Sequence, residues 1–156
     1  MKKKSYIIFT LDDQRYALSV KSVKNIIRSV ALTYLTEAPD LVFGLLNLGG
    51  TFIPVINIRE QFALPQKSIR VSDRIIIAEA SSYTVAFIAD SVEDVMELAQ
   101  EPLDQSVDIF PGMEKYFIGI SRQNNATVLI YDINTLFPEQ MVKHITEELN
   151  YIEAPT

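Results

Sequence analysis

One plan of secondary structure occurs twice in this sequence, and that repetition limits the possible folds more than any other feature. Three pairs of segments match in the same order. Tyr6–Phe9 matches Ile75–Ala78, and Ser22–Ile26 matches Ser91–Val95. In the third pair, Asn57-Ile58 matches Asp132-Ile133 and Phe62 matches Phe137. The offset is 69 residues for the first two pairs and 75 residues for the third. The common order of hairpin, connecting segment, hairpin and short helical turn predicts an internal duplication.

Short apolar strands joined by turn residues predict four β-hairpins. Their turns are Asp12-Asp13-Gln14, Gly49-Gly50, Ser81-Ser82 and Asn124-Asn125. Pro54 lacks a backbone N–H, so we place it at a sheet edge or a bulge of the strand Thr51–Ile58. Many short antiparallel strands with regular turns are typical of small barrels. We therefore predict an all-β fold of two packed barrels.

The helical segments are predicted to be short, apart from one at the end. The spacing of Val20, Val23, Ile26, Ile27 and Val30 predicts a short helix or turn around residues 20–27. Pro39 introduces a predicted turn at residues 40–43, and residues 99–116 are predicted to be an irregular connection. Single helical turns are predicted at Arg59–Phe62 and Ile133–Phe137. Pro138 is predicted to open a terminal helix, Glu139–Leu149, whose following residues fray.

Composition excludes several classes of function. The formal net charge of −6 disfavours nucleic acid, which requires a basic face, and disfavours attraction to an anionic membrane. The Lys2–Lys4 run is followed by too short an apolar segment for a signal peptide. No apolar stretch reaches the roughly 18 residues that span a bilayer. There are no cysteines, so disulfides, thiolate nucleophiles and cysteine metal sites are excluded. We expect a soluble cytoplasmic protein.

The residues that commonly carry chemistry form no recognisable site. The single His144 has no partner for a zinc site and is expected on a solvated helix face. Asp12-Asp13 is expected to stabilise a turn, and Glu93-Asp94 is expected on a solvated strand face. There is no glycine-rich phosphate loop or nucleophile elbow. The sequence therefore predicts no catalytic residues, no metal and no cofactor, and an enzyme remains only as a weak alternative.

With these classes of function excluded, the sequence predicts a surface that binds another protein. The segment at residues 44–50 is unusually apolar for a hairpin tip, and Val23 and Ile26 recur as Val92 and Val95 in the second repeat. Each of these four residues can be a core residue. Alternatively, some of them line a groove between the two barrels, where an amphipathic helix would bind through apolar anchors.

Several spaced motifs over roughly residues 5–138 follow the pattern of a known family. The segment Phe43-Gly-Leu-Leu-Asn-Leu-Gly-Gly50, after Glu37-Ala-Pro39, is similar to a proline followed by G-x-x-N-x-R-G. Ile53–Arg59 is similar to I-P-V-[IV]-D-L-R, and Ile88–Val95 is similar to V-D-x-V-x-[ED]-V. Val128–Ile133 is similar to L-[IL]-x-[VL]-D-[IL]. In these motifs and their order, the chain resembles the CheW-like family of chemotaxis adaptors.

The resemblance implies two five-stranded antiparallel barrels of the Src-homology-3-like kind, with short helical turns and a C-terminal helix. It implies a scaffold recruited to membrane receptor arrays, where it binds the cytoplasmic tip of a chemoreceptor and the regulatory domain of a CheA-type histidine kinase. Self-association in arrays is a further implication. The residues expected to bind partners are Val23, Asn25, Ile26, Leu48, Gly49, Gly50, Val92 and Val95.

Two positions depart from the family pattern. The arginine of N-x-R-G is Gly49 here, and a frequent glutamate of the family is Asn25. An arginine and a glutamate often form a charge pair that orders a binding site. Because this chain lacks both residues, neither charge is left without its partner. The departure leaves three alternatives to an ordinary coupling protein: an adaptor of a pilus, surface-motility or other non-flagellar pathway, an inhibitor of kinase activity, or a structural component that self-associates.

The predicted organisation is one CheW-like domain at residues 1–138, followed by a helix and tail at residues 139–156. Within the domain, the two barrel subdomains are predicted to divide near residues 65–72.

Overall fold

The structure is a computed structural model that describes residues 3–35, 40–99, 117–123 and 126–153. Its strands are β1 (Lys3–Leu11), β2 (Gln14–Ser19), β3 (Val23–Arg28), β4 (Val42–Leu48), β5 (Thr51–Ile56), β6 (Arg74–Ala80), β7 (Tyr83–Ala89), β8 (Ser91–Ala99), β9 (Phe117–Gln123) and β10 (Ala126–Tyr131). Its helices are α1 (Ile58–Gln61), α2 (Ile133–Leu136) and α3 (Glu139–Glu153), with a 3-10 turn at Val20–Ser22. Pro39, residues 100–116 of the predicted connection, the Asn124-Asn125 turn and the last three residues lie outside the described ranges.

Two five-stranded sheets form the fold, which confirms the predicted all-β architecture. Barrel A has the strand order β8-β1-β2-β10-β9, and barrel B has the order β3-β6-β7-β5-β4. The sheets are not wholly antiparallel, however, because β2 pairs with β10 and β7 pairs with β5 in parallel. Each of these parallel pairs joins a strand from one repeat to a strand from the other.

The two barrels are not the two halves of the chain. Barrel A combines the first hairpin of the first repeat, β1-β2, with the last three strands, whereas barrel B combines the first hairpin of the second repeat, β6-β7, with β3, β4 and β5. The subdomain boundary predicted near residues 65–72 falls between β5 and β6, which belong to the same barrel. The two repeats have exchanged their hairpins, so no single boundary in the sequence separates the barrels.

The strand registers of the two barrels correspond residue by residue. In barrel A the β1–β8 ladder shifts register between Ile7 and Phe9, and in barrel B the β3–β6 ladder shifts between Val23 and Asn25, opposite Ala78 and Ile77. A bulge of this kind adds one residue to one strand. Because both bulges fall at positions related by the offset of 69 residues, the register supports the predicted duplication.

The described residues form three hydrophobic cores, one within each barrel and one between the barrels. One, around Tyr6, Ile8 and Ile130, fills barrel A, and another, around Ile75, Ile77 and Val55, fills barrel B. The third and largest lies between the barrels and includes residues from both of them. Alternate residues of β1 and β6 therefore face different cores, which explains why these strands are apolar without interruption.

Aromatic rings connect the central core across the barrels. The Phe87 ring of barrel B lies 5.2 Å from the Phe9 ring of barrel A and 5.7 Å from the Phe137 ring that follows α2. Phe62, which follows α1, lies 5.4 Å from the ring of Tyr16 in barrel A. The matched residues Phe62 and Phe137 thus both insert into the interface between the barrels.

The helix predicted around residues 20–27 is wrong beyond its first turn. Val20–Ser22 forms a 3-10 turn, but Val23–Arg28 is an edge strand. The turn predicted at residues 40–43 is shorter than expected, because β4 begins at Val42. Pro54 does not lie on an edge strand, because β5 is between β7 and β4 in its sheet. The pairing of β5 with β7 covers only Val55 and Ile56, so Pro54 is outside the residues that pair with β7.

The remaining turns and helices agree with the sequence. Asp12-Asp13, Ser81-Ser82 and Gly49-Gly50 all have positive φ angles, the backbone that two-residue hairpins favour. The side chains of Asn57 and Asp132 cap α1 and α2 at equivalent positions. The terminal helix is confirmed and runs to Glu153; Val142, Ile145 and Leu149 on α3 are buried in the central core.

We expect Phe87→Ala to destabilise both barrels together, because Phe87 is fully buried in the core that they share. Truncation of a buried phenylalanine typically lowers the free energy of unfolding by about 3–5 kcal/mol. Urea unfolding followed by near- and far-ultraviolet circular dichroism measures this, and the two signals should change together. The control is Val71→Ala in a loop where the side chain is 92% exposed. Separate transitions for the two signals would contradict a shared core.

Candidate functional site

The four apolar residues predicted to bind partners lie on two edge strands at equivalent positions. Val23 and Ile26 are on β3, at the edge of barrel B, and Val92 and Val95 are on β8, at the edge of barrel A. Val23 pairs with Ala78 and Val92 with Phe9, whereas Ile26 pairs with Ile76 and Val95 with Ile7. The structure therefore presents the same apolar pair twice, once on each barrel.

The sequence left open whether these four residues belong to the core or line a binding groove, and the structure gives them features of both. Val23, Ile26 and Val92 are half-buried and pack against the margin of the central core. Val95 is 54% exposed, which is unusual for a valine in a strand. Each edge thus has an apolar side chain anchored on the core with part of its surface open to a partner.

Asn25 lies on β3 between Val23 and Ile26, and its side chain is exposed. Its Oδ1 accepts a hydrogen bond of 2.9 Å from the backbone N–H of Ile26. A glutamate, which the family often has here, would bring a negative charge to this edge. The asparagine instead satisfies a local backbone donor and leaves the edge without that charge.

The hairpin tip between β4 and β5 forms a second candidate surface. Leu48 is 41% exposed and Phe52 is 47% exposed, and Oδ1 of Asn47 accepts a 2.9 Å hydrogen bond from the N–H of Gly50. A Cβ atom added at Gly49 would meet no atom within 4 Å. The tip is open, and among the described residues it lies outside the hydrophobic clusters to which Val23, Ile26 and Val92 belong.

An ionic cluster, which the sequence analysis did not predict, joins three separate segments beside the barrel interface. Nη2 of Arg59 on α1 lies 2.9 Å from Oδ1 of Asp12, in the β1–β2 turn, and 2.8 Å from Oδ1 of Asp90, between β7 and β8. Nη1 of Arg59 donates to the carbonyl of Pro65 at 3.1 Å. Nζ of Lys67 lies 3.4 Å from Asp90, so the loop after α1 is held by the same carboxylate.

Arg59 is the centre of this cluster, and its hydrogen bonds to the two carboxylates help to set the direction of all three pKa shifts. The hydrogen bond from Arg59 lowers the pKa of Asp12. Burial by itself would raise the pKa of Asp90, but the hydrogen bonds from the Asp12 backbone and from Arg59 outweigh it, so the pKa of Asp90 is also lowered. Burial of Arg59 opposes its charge, yet the two carboxylates raise its pKa overall. The cluster therefore keeps all three side chains charged.

The second repeat has an uncharged counterpart of this contact. Asn134 of α2 occupies the position of Arg59, and its Oδ1 accepts a 2.9 Å hydrogen bond from the N–H of Ser81, which corresponds to Asp12. In the first repeat, α1 therefore contacts the turn of the β1–β2 hairpin. In the second repeat, α2 contacts the turn of the β6–β7 hairpin in the same way. In each case the helix follows a strand of one barrel and the hairpin belongs to the other barrel. Arg59 and Asp90 each come soon after an apolar strand segment, and this position is the signal by which the sequence could have indicated them.

Two concavities of the described surface lie near the loop after α1. An open depression of about 440 Å³ is lined by Tyr34, Phe43 and residues 66–69. A cavity of about 20 Å³ lies beside Arg59 and Asp90. A space of that size accommodates about one water molecule. Neither concavity includes a residue predicted to bind partners.

The other polar residues singled out in the sequence lie where expected. His144 is exposed on α3, Asp94 is exposed on β8, and Glu93 pairs with Arg15 at 3.0 Å. Asp12 does more than shape its turn, since its carboxylate binds Arg59. Across the described ranges, no three histidine, aspartate or glutamate side chains are grouped to hold a metal ion. No helix among the described residues has the length and apolar character needed to cross a membrane.

Comparison with known proteins gives consistent results along nearly the whole chain. The model of the CheW-like domain family matches residues 5–141. The chemotaxis protein CheW of Bacillus subtilis is 26% identical over 148 residues, covering 95% of this chain and 82% of the relative. The CheW of Thermotoga maritima is 24% identical and covers 92% of this chain and 93% of the relative. The crystal structure of the scaffolding protein TtCheW from Thermoanaerobacter tengcongensis superposes with a TM-score of 0.76 at 24% identity, covering 90% of this chain and 96% of that one.

Acid should weaken the ionic cluster, and Asp90→Asn tests this. Because the folded pKa values of Asp12 and Asp90 are lowered, their contribution is complete above the unfolded pKa of about 3.9 and is lost as the pH falls through the lower folded values. At pH 7 we expect Asp90→Asn to lower the free energy of unfolding by about 2–3 kcal/mol. The difference from the native protein should narrow as the pH falls below the ordinary aspartate pKa of about 3.9 and through the lowered pKa of the folded Asp90 carboxyl.

Urea titrations at pH 7 and at a pH below the ordinary aspartate pKa of about 3.9 measure this difference in the free energy of unfolding. Asp94→Asn makes the same chemical change on an exposed strand position and should have little effect at either pH. Equal destabilisation by Asp90→Asn at both pH values would show that the contribution of Asp90 does not depend on its charge.

Proposed function

Because this chain belongs to the CheW-like family, we propose that it is a non-enzymatic adaptor that couples chemoreceptors to a CheA-type histidine kinase. The relatives that match it over most of their length are chemotaxis proteins named CheW. In this proposal the protein acts in the cytoplasm and is recruited to receptor arrays at the membrane. Its partners are the cytoplasmic tip of the receptor and the regulatory domain of the kinase.

The observation that carries this proposal is the repeated apolar pair on the two edge strands. A half-buried side chain with exposed surface favours binding, because it is already ordered by the core and loses little entropy when a partner covers it. Val23 and Ile26 on β3 and Val92 on β8 have this character, and Val95 on β8 adds an apolar side chain that is 54% exposed. The geometry supports contacts with apolar anchors of a partner at either barrel.

The proposed mechanism requires no chemistry in the adaptor itself. The barrels are joined by a core to which both contribute, so a partner on β3 and a partner on β8 are held in a fixed relation. Transmission of a signal then depends on the receptor making different contacts with the assembly in its two states. A rigid connection between the barrels is well suited to passing such a bias to the kinase.

Asn25 and Gly49 favour a second version of the same role. The family pattern has a glutamate and an arginine at these positions, whereas here one side chain is neutral and the other is absent. An adaptor that binds its partners but activates the kinase weakly would fit this change. Such a protein would serve a divergent pathway, such as one controlling pili or surface motility, or would reduce kinase activity by occupying adaptor positions.

The binding surface is tested best at Val95, since that side chain is exposed and its replacement should not disturb the core. We expect Val95→Asp to weaken binding to a receptor-tip fragment or to the kinase regulatory domain by about tenfold or more, as the loss of an apolar anchor typically does. Isothermal titration calorimetry with each partner measures this. Val71→Asp makes the same change at a 92% exposed loop position and serves as the control. If Val95→Asp binds both partners with the affinity of the native protein, β8 is not part of the proposed binding surface.

Kinase activation is tested by restoring the family's charge pair. Gly49 has φ of 63°, which costs a non-glycine residue about 1 kcal/mol, but there is open space around it. We expect Asn25→Glu combined with Gly49→Arg to increase activation in a reconstituted receptor–kinase assay, more than either change alone. Thr51→Arg, an arginine added nearby in the same exposed hairpin, is the control. An unchanged rate of kinase autophosphorylation in the double variant would show that these positions do not limit coupling.

A further inference from the structure

The loop after α1 crosses the ionic cluster as a strap formed by residues 66–69. Its two ends are fixed through the backbone. The carbonyl of Pro65 accepts a hydrogen bond from Nη1 of Arg59 at 3.1 Å, and the N–H of Arg70 donates to Oδ2 of Asp73 at 2.7 Å. Among the described residues, the strap between these ends is attached through its side chains alone. A segment whose backbone makes no hydrogen bonds to its surroundings opens at little cost in free energy.

The strap separates two spaces and lines both of them. On its inner side is the cavity of about 20 Å³, which Arg59 and Asp90 line together with apolar side chains such as Ile88. On its outer side is the depression of about 440 Å³ beside Tyr34. Phe43 and the strap are common to the linings of both spaces. When the strap moves aside, the two spaces therefore become one concavity of the size that binds small molecules, about 300–1,000 Å³.

Two side chains of the strap together imitate a ligand in this concavity. Nζ of Lys67 lies 3.4 Å from Oδ2 of Asp90 and 3.6 Å from Oδ1 of Asp12. Two residues further on, Ile69 packs against the core of barrel B and lines the cavity with Phe43. The strap thus places an ammonium group beside carboxylates and an apolar group against the neighbouring apolar wall. A small organic amine consists of the same two parts.

The charges of the cluster determine the sign of the ligand. In the closed arrangement three cationic side chains balance three carboxylates: Arg59, Lys67 and Arg70 against Asp12, Asp73 and Asp90. When the strap carries Lys67 away, these groups retain one uncompensated negative charge. The side chain of Asp90 is 15% exposed, so water compensates that charge poorly. A cation is therefore favoured there, and an anion is repelled.

From these observations we infer that the concavity beneath the strap binds a small organic amine, whose ammonium group replaces that of Lys67 beside Asp90. The apolar body of the amine takes the place of Ile69 against Phe43 and Ile88. Lys67 is then an internal competitor, and binding releases the loop after α1 from the ionic cluster. The inference goes beyond the proposed coupling function, because it requires neither a receptor nor a kinase.

The probe is 2-phenylethylamine, a primary alkylamine that is protonated at neutral pH like the side chain of lysine. Titration of the full chain, followed by NMR chemical shifts, measures its dissociation constant. Lys67→Met removes the competing ammonium group and keeps the apolar stem. We expect this variant to bind the probe about fivefold more tightly than the native chain, the factor that one partly exposed ion pair typically supplies. Loss of folding cannot cause such a gain.

The matched control is Lys24→Met, which makes the same change outside the cluster. Nζ of Lys24 donates to the hydroxyl of Thr84 at 3.3 Å, and this contact is remote from Asp90 in the fold. The control should bind the probe like the native chain. Equal tightening by Lys24→Met and Lys67→Met would show that the gain comes from net charge alone, and the inference would be wrong.

Two further comparisons identify the chemistry of the site and its position. 2-Phenylethanol has the same ring without the charge, and it should bind Lys67→Met about tenfold more weakly than the amine does, because it cannot form the charged hydrogen bond to Asp90. Asp90→Asn added to Lys67→Met should remove the gain, and thermal unfolding checks that this double variant is folded. Intermolecular nuclear Overhauser effects from the phenyl ring should reach the side chains of Phe43 and Ile88.

Three results would overturn the inference. The first is the absence of a saturable shift in Lys67→Met up to about 10 mM probe, which excludes even a millimolar site. The second is equal affinity of the amine and of 2-phenylethanol for that variant. The third is a set of nuclear Overhauser effects confined to another surface, such as the hairpin tip at Leu48 and Phe52. The last two results remain decisive even if the double variant does not fold.

Discussion

The apolar core between the two barrels is the constraint on which the rest of the structure depends. Each barrel has a small core of its own, but five short strands enclose few side chains, and domains of this size are marginal alone. The central core supplies the remaining burial and uses the outer faces of β1, β2, β6 and β7. It requires these strands to be apolar on both sides, which is the pattern that Tyr6–Phe9 and Ile75–Ala78 display in the sequence.

The exchange of hairpins between the repeats strengthens this dependence. Because β1 and β2 complete a barrel with β8, β9 and β10, neither repeat forms a closed unit without the other. The short helices repeat the exchange on a smaller scale. Arg59 contacts the β1–β2 turn and Asn134 contacts the β6–β7 turn, so each repeat also has a polar contact across the interface between the barrels. The relation between β3 and β8 is therefore set by the whole fold.

The limits of sequence reasoning here have specific physical causes. The strands, hairpins and duplication were predictable because they depend on local alternation and turn residues. The helix at residues 20–27 was wrongly predicted because the bulge in β3 puts Val23 and Ile26, three residues apart, on the same side of the strand. That spacing imitates one turn of a helix. The division of the barrels and the contact of Arg59 with Asp12 and Asp90 depend on pairing between distant segments, which no local pattern records.

Comparison of the repeats separates what folding requires from what it leaves free. Positions that face the cores have stayed apolar in both copies, as Ile8 and Ile77 or Ile130 and Val55 show. Exposed or partly exposed positions of the edge strands β3 and β8 have opposite charge in the two copies, as at Lys24 and Glu93 or Arg28 and Glu97. A hairpin tip is likewise apolar in one copy, at Leu48 and Phe52, whereas the position that corresponds to Phe52 in the other copy is the exposed Thr127. Folding alone places no demand on these exposed differences, so a duplicated scaffold with two similar edges is free to give each edge a different partner.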